Sequence, residues 1–221
     1  DEHRLGHLAI FVGRGLERLA RLAGKCVEVQ EGIRRNKAYA ENHRLLLMNE
    51  TALALYRNET DQAGRYLNEL YPGIKPSHSL CLLIKLFPAQ FGIDGEKADT
   101  TKITGMVVKA LEGLSLQFAL GVINENTLCI FLFLPTAEAA GDILTKAYEC
   151  IQSVVRPNEL FMGCGEPAES LSCIARACMT AGLALEKSFY SKQKRLIRYQ
   201  EEPSEAIGAE ELSKQAEVFS E

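Results

Sequence analysis

Residues 2 to about 56 contain no proline and carry apolar side chains at helical spacing. Steps of alternately three and four residues from Leu5 pass Leu8, Val12, Gly15, Leu19, Leu22, Cys26, Val29, Ile33, Asn36, Ala40, His43 and Leu47. All but Gly15, Asn36 and His43 are apolar, which is the seam of a heptad helix. At 1.5 Å per residue a single helix of this length runs on the order of 75 Å. No small domain covers that length, so the pattern predicts a partner helix. A parallel homodimeric coiled coil satisfies it, with Leu5, Leu8, Val12, Leu19, Leu22, Cys26, Val29, Ile33, Asn36, Ala40 and Leu47 as the dimer seam. The same residues also fit two helices folded back on each other near Gly24 or Gly32, because each interior glycine weakens a helix by about 1 kcal/mol. Asn36 on the seam either sets register or marks a frayed end.

A short second helix is expected from a Thr60 cap, with Ala63, Tyr66, Leu67 and Leu70 on one face and Tyr71-Pro72-Gly73 as its stop. From Leu80 the period changes. Leu80 to Phe87 reads as a buried strand, and Thr100 or Thr101 opens a helix facing inward through Ile103, Met106, Val107, Ala110, Leu111 and Leu114. Gln117 to Ile123 and Thr127 to Leu134 form a hairpin around Asn124, Glu125 and Asn126. Thr136 is the expected cap of a helix with Ile143, Leu144, Ala147, Ile151 and Val154 inward, broken by Pro157-Asn158. Glu159 to Cys164 is a strand. Ser170 is the expected cap of a third helix, with Leu171, Ile174, Ala175, Cys178, Leu185 and Phe189 inward. Lys194 to Tyr199 is the last strand.

The order β-α-β-β-α-β-α-β after a long N-terminal helix predicts an α/β (α+β) protein, a ferredoxin-like or nucleotide-cyclase-like sandwich. The expected organisation is a helical coiled-coil linker over 1–56, a short helix and connector over 57–78, the α/β domain over 79–202, and a linker over 203–221. In that linker Ala209 to Phe219 reads as the start of a helix leading downstream. The chain opens on Asp1 rather than Met, as expected of a piece of a longer protein.

With 221 residues, 47% hydrophobic, the chain has room for one or two domains and a sizeable core. The net charge of −4 argues against a nucleic-acid surface on this stretch. No apolar run reaches the roughly 20 residues of a membrane span, and nothing reads as a signal peptide. Seven cysteines, an odd number without a C-x-x-C pair, read as reduced residues of a cytoplasmic protein, most of them in the core.

A metal-dependent nucleotide cyclase of this topology needs carboxylates at the end of its first strand and in the hairpin, where they hold divalent cations against the triphosphate. The first strand ends instead on Leu86, Phe87 and Pro88. The hairpin offers Thr127, Leu128 and Cys129 where Gly, Asp/Glu and Glu belong. Glu125 alone does not replace two ligands, and Asp94 and Glu96 read as solvated loop residues. No catalytic residue, metal ligand or cofactor is therefore expected. Gly163-Cys164-Gly165 lacks the third glycine and helix start of a dinucleotide loop and reads as a strand exit. His3 and His7 share an i, i+4 face without a third ligand, and His43 and His78 have no evident partner. Lys187, Lys192, Lys194, Arg195 and Arg198 make a basic run that reads as a solvated edge.

Residues 159 to 202 carry the stretches Phe161-Met-Gly-Cys-Gly-Glu-Pro, Leu171-Ser-Cys-Ile-Ala-Arg-Ala-Cys-Met-Thr-Ala-Gly-Leu-Ala-Leu-Glu-Lys and Arg195-Leu-Ile-Arg-Tyr-Gln-Glu-Glu. They resemble the degenerate GGDEF-like module of bacterial AraC-type transcription regulators. Leu45 to Leu70, with its polar break at Arg57-Asn-Glu-Thr60, is similar to the same family. The opening Asp1-Glu2 before a heptad helix resembles the exit of a HAMP-type linker in membrane-anchored members, and fits equally the linker after a receiver domain. The resemblance implies a non-catalytic signalling and dimerisation module, a homodimer through its N-terminal helix. DNA contact would come only from a helix-turn-helix domain beyond Glu221. A sensor that binds a small molecule or nucleotide without turnover is the alternative.

Overall fold

The computed structural model describes residues 2–74, 76–87, 100–136, 139–156, 159–190 and 195–200. Two compact units divide the chain, Asp1–Leu46 and Leu47–Glu221. The first unit belongs to α1, a helix that runs from Glu2 to Tyr56 without interruption at Gly24 or Gly32. The side chains of Leu5, Leu8, Val12 and Leu19 lie outside the described ones. Leu22, Val29 and Ile33 are each about 60% exposed, and Cys26, Asn36 and Ala40 are exposed as well.

The second unit begins inside α1. Leu47 is half-buried, and Met48, Thr51, Ala52 and Leu55 are buried on one side of the helix, Met48 three and four residues before the adjacent Thr51 and Ala52. α2 follows over Thr60–Leu70, then β1 (His78–Phe87), α3 (Thr100–Gly113), β2 (Gln117–Asn124), β3 (Thr127–Leu134), α4 (Ala140–Val155), β4 (Glu159–Cys164), α5 (Ile174–Tyr190) and β5 (Leu196–Arg198). The sheet order is β2-β3-β1-β4-β5. Neighbouring strands among the first four are antiparallel, and β5 adds parallel to β4. This is the split β-α-β arrangement that the strand–helix order predicts, extended by one strand.

Both faces of the sheet are covered, which is why β1 and β3 read as continuous apolar runs. Leu80, Leu82, Ile84 and Leu86 join Val107, Leu111, Leu144 and Ile151 from α3 and α4 in one core. Cys81, Leu83, Phe131 and Phe133 join Leu55, Leu67, Ala177 and Ala181 from α1, α2 and α5 in the other. The strand period of two sorts alternate residues into the two cores.

Several expectations are corrected. Thr60 is the first residue of α2, whose N-cap is Glu59, and no side chain caps it. α4 starts at Ala140, after an Ala139 N-cap, so Thr136 is no cap. Ser170 leads into a 3-10 turn, Leu171–Cys173, rather than directly into α5. Its hydroxyl pairs with that of Ser172 at 2.8 Å instead of a backbone N–H. β1 begins two residues earlier than its apolar run because His78 still pairs with Leu134. β5 spans only Leu196–Arg198. Met106, Ala175 and Phe189 are exposed rather than inward, although the Phe189 ring still meets Phe87 of β1 and Phe161 of β4. Pro157, Asn158, Lys194 and the expected helix at Ala209 to Phe219 lie outside the described residues.

Candidate functional site

The end of β1 and the β2–β3 turn meet at the hairpin end of the sheet. The Asn124 side-chain oxygen accepts from the Asn126 N–H at 3.2 Å, a local Asx turn that closes the hairpin. The Asn126 carbonyl then accepts from the Leu86 N–H at 2.8 Å. The end of β1 and the hairpin turn are thereby held side by side. This is the place where metal-binding carboxylates would have to converge.

The side chains there are of another kind. Leu86 and Leu128 are buried in the α3/α4 core. Cys129 is buried in the opposite core, and its thiol donates to the Gly121 carbonyl at 3.6 Å. Burial, reinforced by the neighbouring Cys178, pushes the Cys129 thiol up to about 12, so it stays protonated at neutral pH. Thr127 is half-buried and Glu125 is exposed. Among the described residues no three His, Cys, Asp or Glu side chains are grouped to hold a metal ion. Pro88, Asp94 and Glu96 lie outside the described residues.

The remaining sequence signals resolve into packing. A Cβ on Gly163 would run into the Ala181 carbonyl and the Leu185 N–H and stand 2.7 Å from the Leu185 Cα. One on Gly165 would meet the Ala177 carbonyl and stand 2.9 Å from the Thr180 hydroxyl oxygen. The two glycines bring the α5 backbone against β4; close approach is the reason for the Gly-x-Gly pattern. Cys164 between them is held near 12 by burial, with Arg198 pulling the other way.

In the basic run, the Arg195 guanidinium sits 6.0 Å from the Phe161 ring centre. Lys85, which sequence reading passed over, lies 5.5 Å from Phe189 and 5.9 Å from Phe87. Phe87 and Phe161 meet edge to face at 5.5 Å. Such cation–ring contacts contribute about 0.5–1 kcal/mol each near a surface. Lys192 and Lys194 lie outside the described residues, as do the side chains of His3 and His7. His78 keeps its Nδ1 buried without a hydrogen-bond partner. His43 is exposed.

An open cavity of about 640 Å³ lies at the other end of the sheet, where Ser77, Ser115, Gln117, Phe133 and Leu134 contribute to its wall. Among the described residues no charged side chain lines it. Ser115 adopts φ +54° as it ends the turn after α3, its N–H donating to the Glu112 carbonyl at 2.9 Å.

No helix among the described residues is long and apolar enough to cross a membrane. No protein-family model matches the chain, and no curated protein matches it. Among solved structures, the crystal structure of a DGC protein from Thermotoga maritima is similar at a TM-score of 0.36 and 17% identity, over 59% of this chain and 88% of that one. A likeness of that size assigns neither a family nor an activity.

Proposed function

We propose that this chain is a non-catalytic signalling and dimerisation module of a bacterial AraC-type transcription regulator. Its N-terminal helix pairs with that of a second copy. The pair passes a change of rotation or register from an input domain into the α/β unit. That unit sets the spacing of helix-turn-helix domains beyond Glu221. The observation that carries the non-catalytic reading is the burial of Leu128 and Cys129, one in each core, where a cyclase needs exposed carboxylates. The exposed Leu22, Val29 and Ile33 support the pairing. The regulator context rests on the resemblance of residues 159 to 202.

Incubation with GTP or ATP and magnesium tests the first part. The expected result is no cyclic nucleotide product, and turnover overturns the reading. The coding frame beyond Glu221 tests the second. A pair of helix-turn-helix units is expected there, and a stop codon or another domain contradicts the regulator assignment.

The open cavity beside Ser115 and Gln117 favours a second reading, a sensor that binds a small molecule or nucleotide without turnover. A ligand bound only by the folded state raises stability by RT ln(1 + [L]/Kd), so a thermal-shift screen with metabolites separates the sensor from the pure relay.

A further inference from the structure

The outward side of α5 carries an arrangement that the relay reading does not use. The helix turns Ala177, Ala181 and Ala184 into the sheet. Its other side shows Arg176, Met179, Leu183, Glu186 and Tyr190, preceded by Ser172 in the 3-10 turn. Successive steps are four, three, four, three and four residues, a heptad stripe. Met179 is 62%, Leu183 42% and Tyr190 87% exposed, a concentration of bare large apolar side chains on one short helix.

The stripe is complementary to itself when reversed about its midpoint between Met179 and Leu183. Met179 then meets Leu183 of the second copy, apolar on apolar. Arg176 meets Glu186, positive on negative. Ser172 meets Tyr190, small against large. A two-fold interface demands this property, since each residue contacts its counterpart twice. Arg176 already holds Glu166 at 2.6 Å, which orients its guanidinium, and five N–H donors suffice for a second carboxylate.

We propose that this face is a self-association surface on which α5 of a second copy docks antiparallel. The contact is separate from the α1 seam, so each stands or falls by itself.

Sedimentation equilibrium of the full chain tests it, against a background carrying Leu22→Asp and Ile33→Asp, which removes pairing through α1. That background is expected to associate still. Leu183→Asp should weaken the association by at least about tenfold. Arg176→Glu and Glu186→Arg each place like charges across the axis, so each alone should weaken it. An equimolar mixture of the two restores both opposite-charge pairs and should recover association. The substituted side chains are exposed, and unchanged thermal unfolding confirms that the variants fold. A monomeric background chain, insensitivity to Leu183→Asp, or a mixture no better than its components overturns the proposal. Failure of the α1 seam shows separately, as a full chain whose mass is unaffected by the Leu22 and Ile33 substitutions.

Discussion

The Tyr71 hydroxyl both donates to the Phe118 carbonyl at 2.8 Å and accepts from the Phe118 N–H at 3.1 Å. Phe118 lies on β2, an edge strand of the sheet. One side chain from the end of α2 thus stands in for a missing neighbouring strand. Asn49 of α1 does the same for the Val122 N–H at 3.1 Å. Covered edge groups are unavailable for pairing with another sheet, a common protection against aggregation.

Tyr71→Phe should cost about 2 kcal/mol of stability, the net value of the two hydrogen bonds it removes. Urea denaturation measures it. The same variant should exchange its Phe118 amide proton faster, and an unchanged rate would show that water replaces the hydroxyl without loss.

Gly163→Ala should destabilise by about 3 kcal/mol, the upper range for overpacking, because the added methyl meets α5 backbone rather than a movable side chain. Gly182→Ala, with open space around its Cβ in the same helix, should be neutral or stabilising. Equal effects at the two positions in thermal unfolding would refute the packing account of the Gly-x-Gly pattern.

Cys81, Cys129 and Cys164 are held above the ordinary thiol value, in each case chiefly by burial. A raised folded-state pKa means that the folded chain retains protons which the unfolded chain has lost. Stability is therefore complete below about pH 8.5 and falls as pH rises toward 12, by up to about 1.4 kcal/mol per pH unit for each such thiol. Urea midpoints between pH 8 and 11 should decline, and less steeply in Cys129→Ala. A flat profile would contradict the burial of these thiols.

The strand–helix order was legible because period carries it. β3 is apolar throughout because both its faces are covered, and α4 keeps Leu144, Ala147 and Ile151 on one side. Helix capping was not legible, although α3 opens at Thr100 as the sequence predicts. Thr60 and Thr136 look like caps, yet the chain reaches each helix in a geometry that uses neither hydroxyl. The Tyr71–Phe118 and Asn49–Val122 bonds join residues 47 and 73 positions apart and leave no local mark. The apolar character of the hairpin was legible too, since Leu128 and Cys129 are buried where the sequence places them, on β3. The α5 stripe was hidden by the apolar character of both sides of that helix, which made Ala175 and Phe189 look inward.

Asn36 is exposed on α1, within the proposed seam. A polar residue there lowers the stability of a helix pair while fixing its register. Asn36→Leu should tighten the pair by about tenfold or more and allow higher oligomers. Sedimentation velocity over a concentration series reads both effects, and a weaker pair would remove Asn36 from the seam.

Pairing through α1 is tested most directly at Cys26, an exposed free cysteine within the proposed seam. In a parallel in-register pair the two Cys26 residues face each other. A disulfide needs Cα atoms about 4.4–6.8 Å apart, so only close, aligned helices form one. Mild oxidation of the native chain should give a covalent dimer that reducing agent dissolves. The dimer should vanish in Cys26→Ser and persist when the other exposed cysteine, Cys173, is replaced by serine. A chain that stays monomeric under oxidation, or a dimer that depends on Cys173 alone, would contradict the parallel seam and with it the relay.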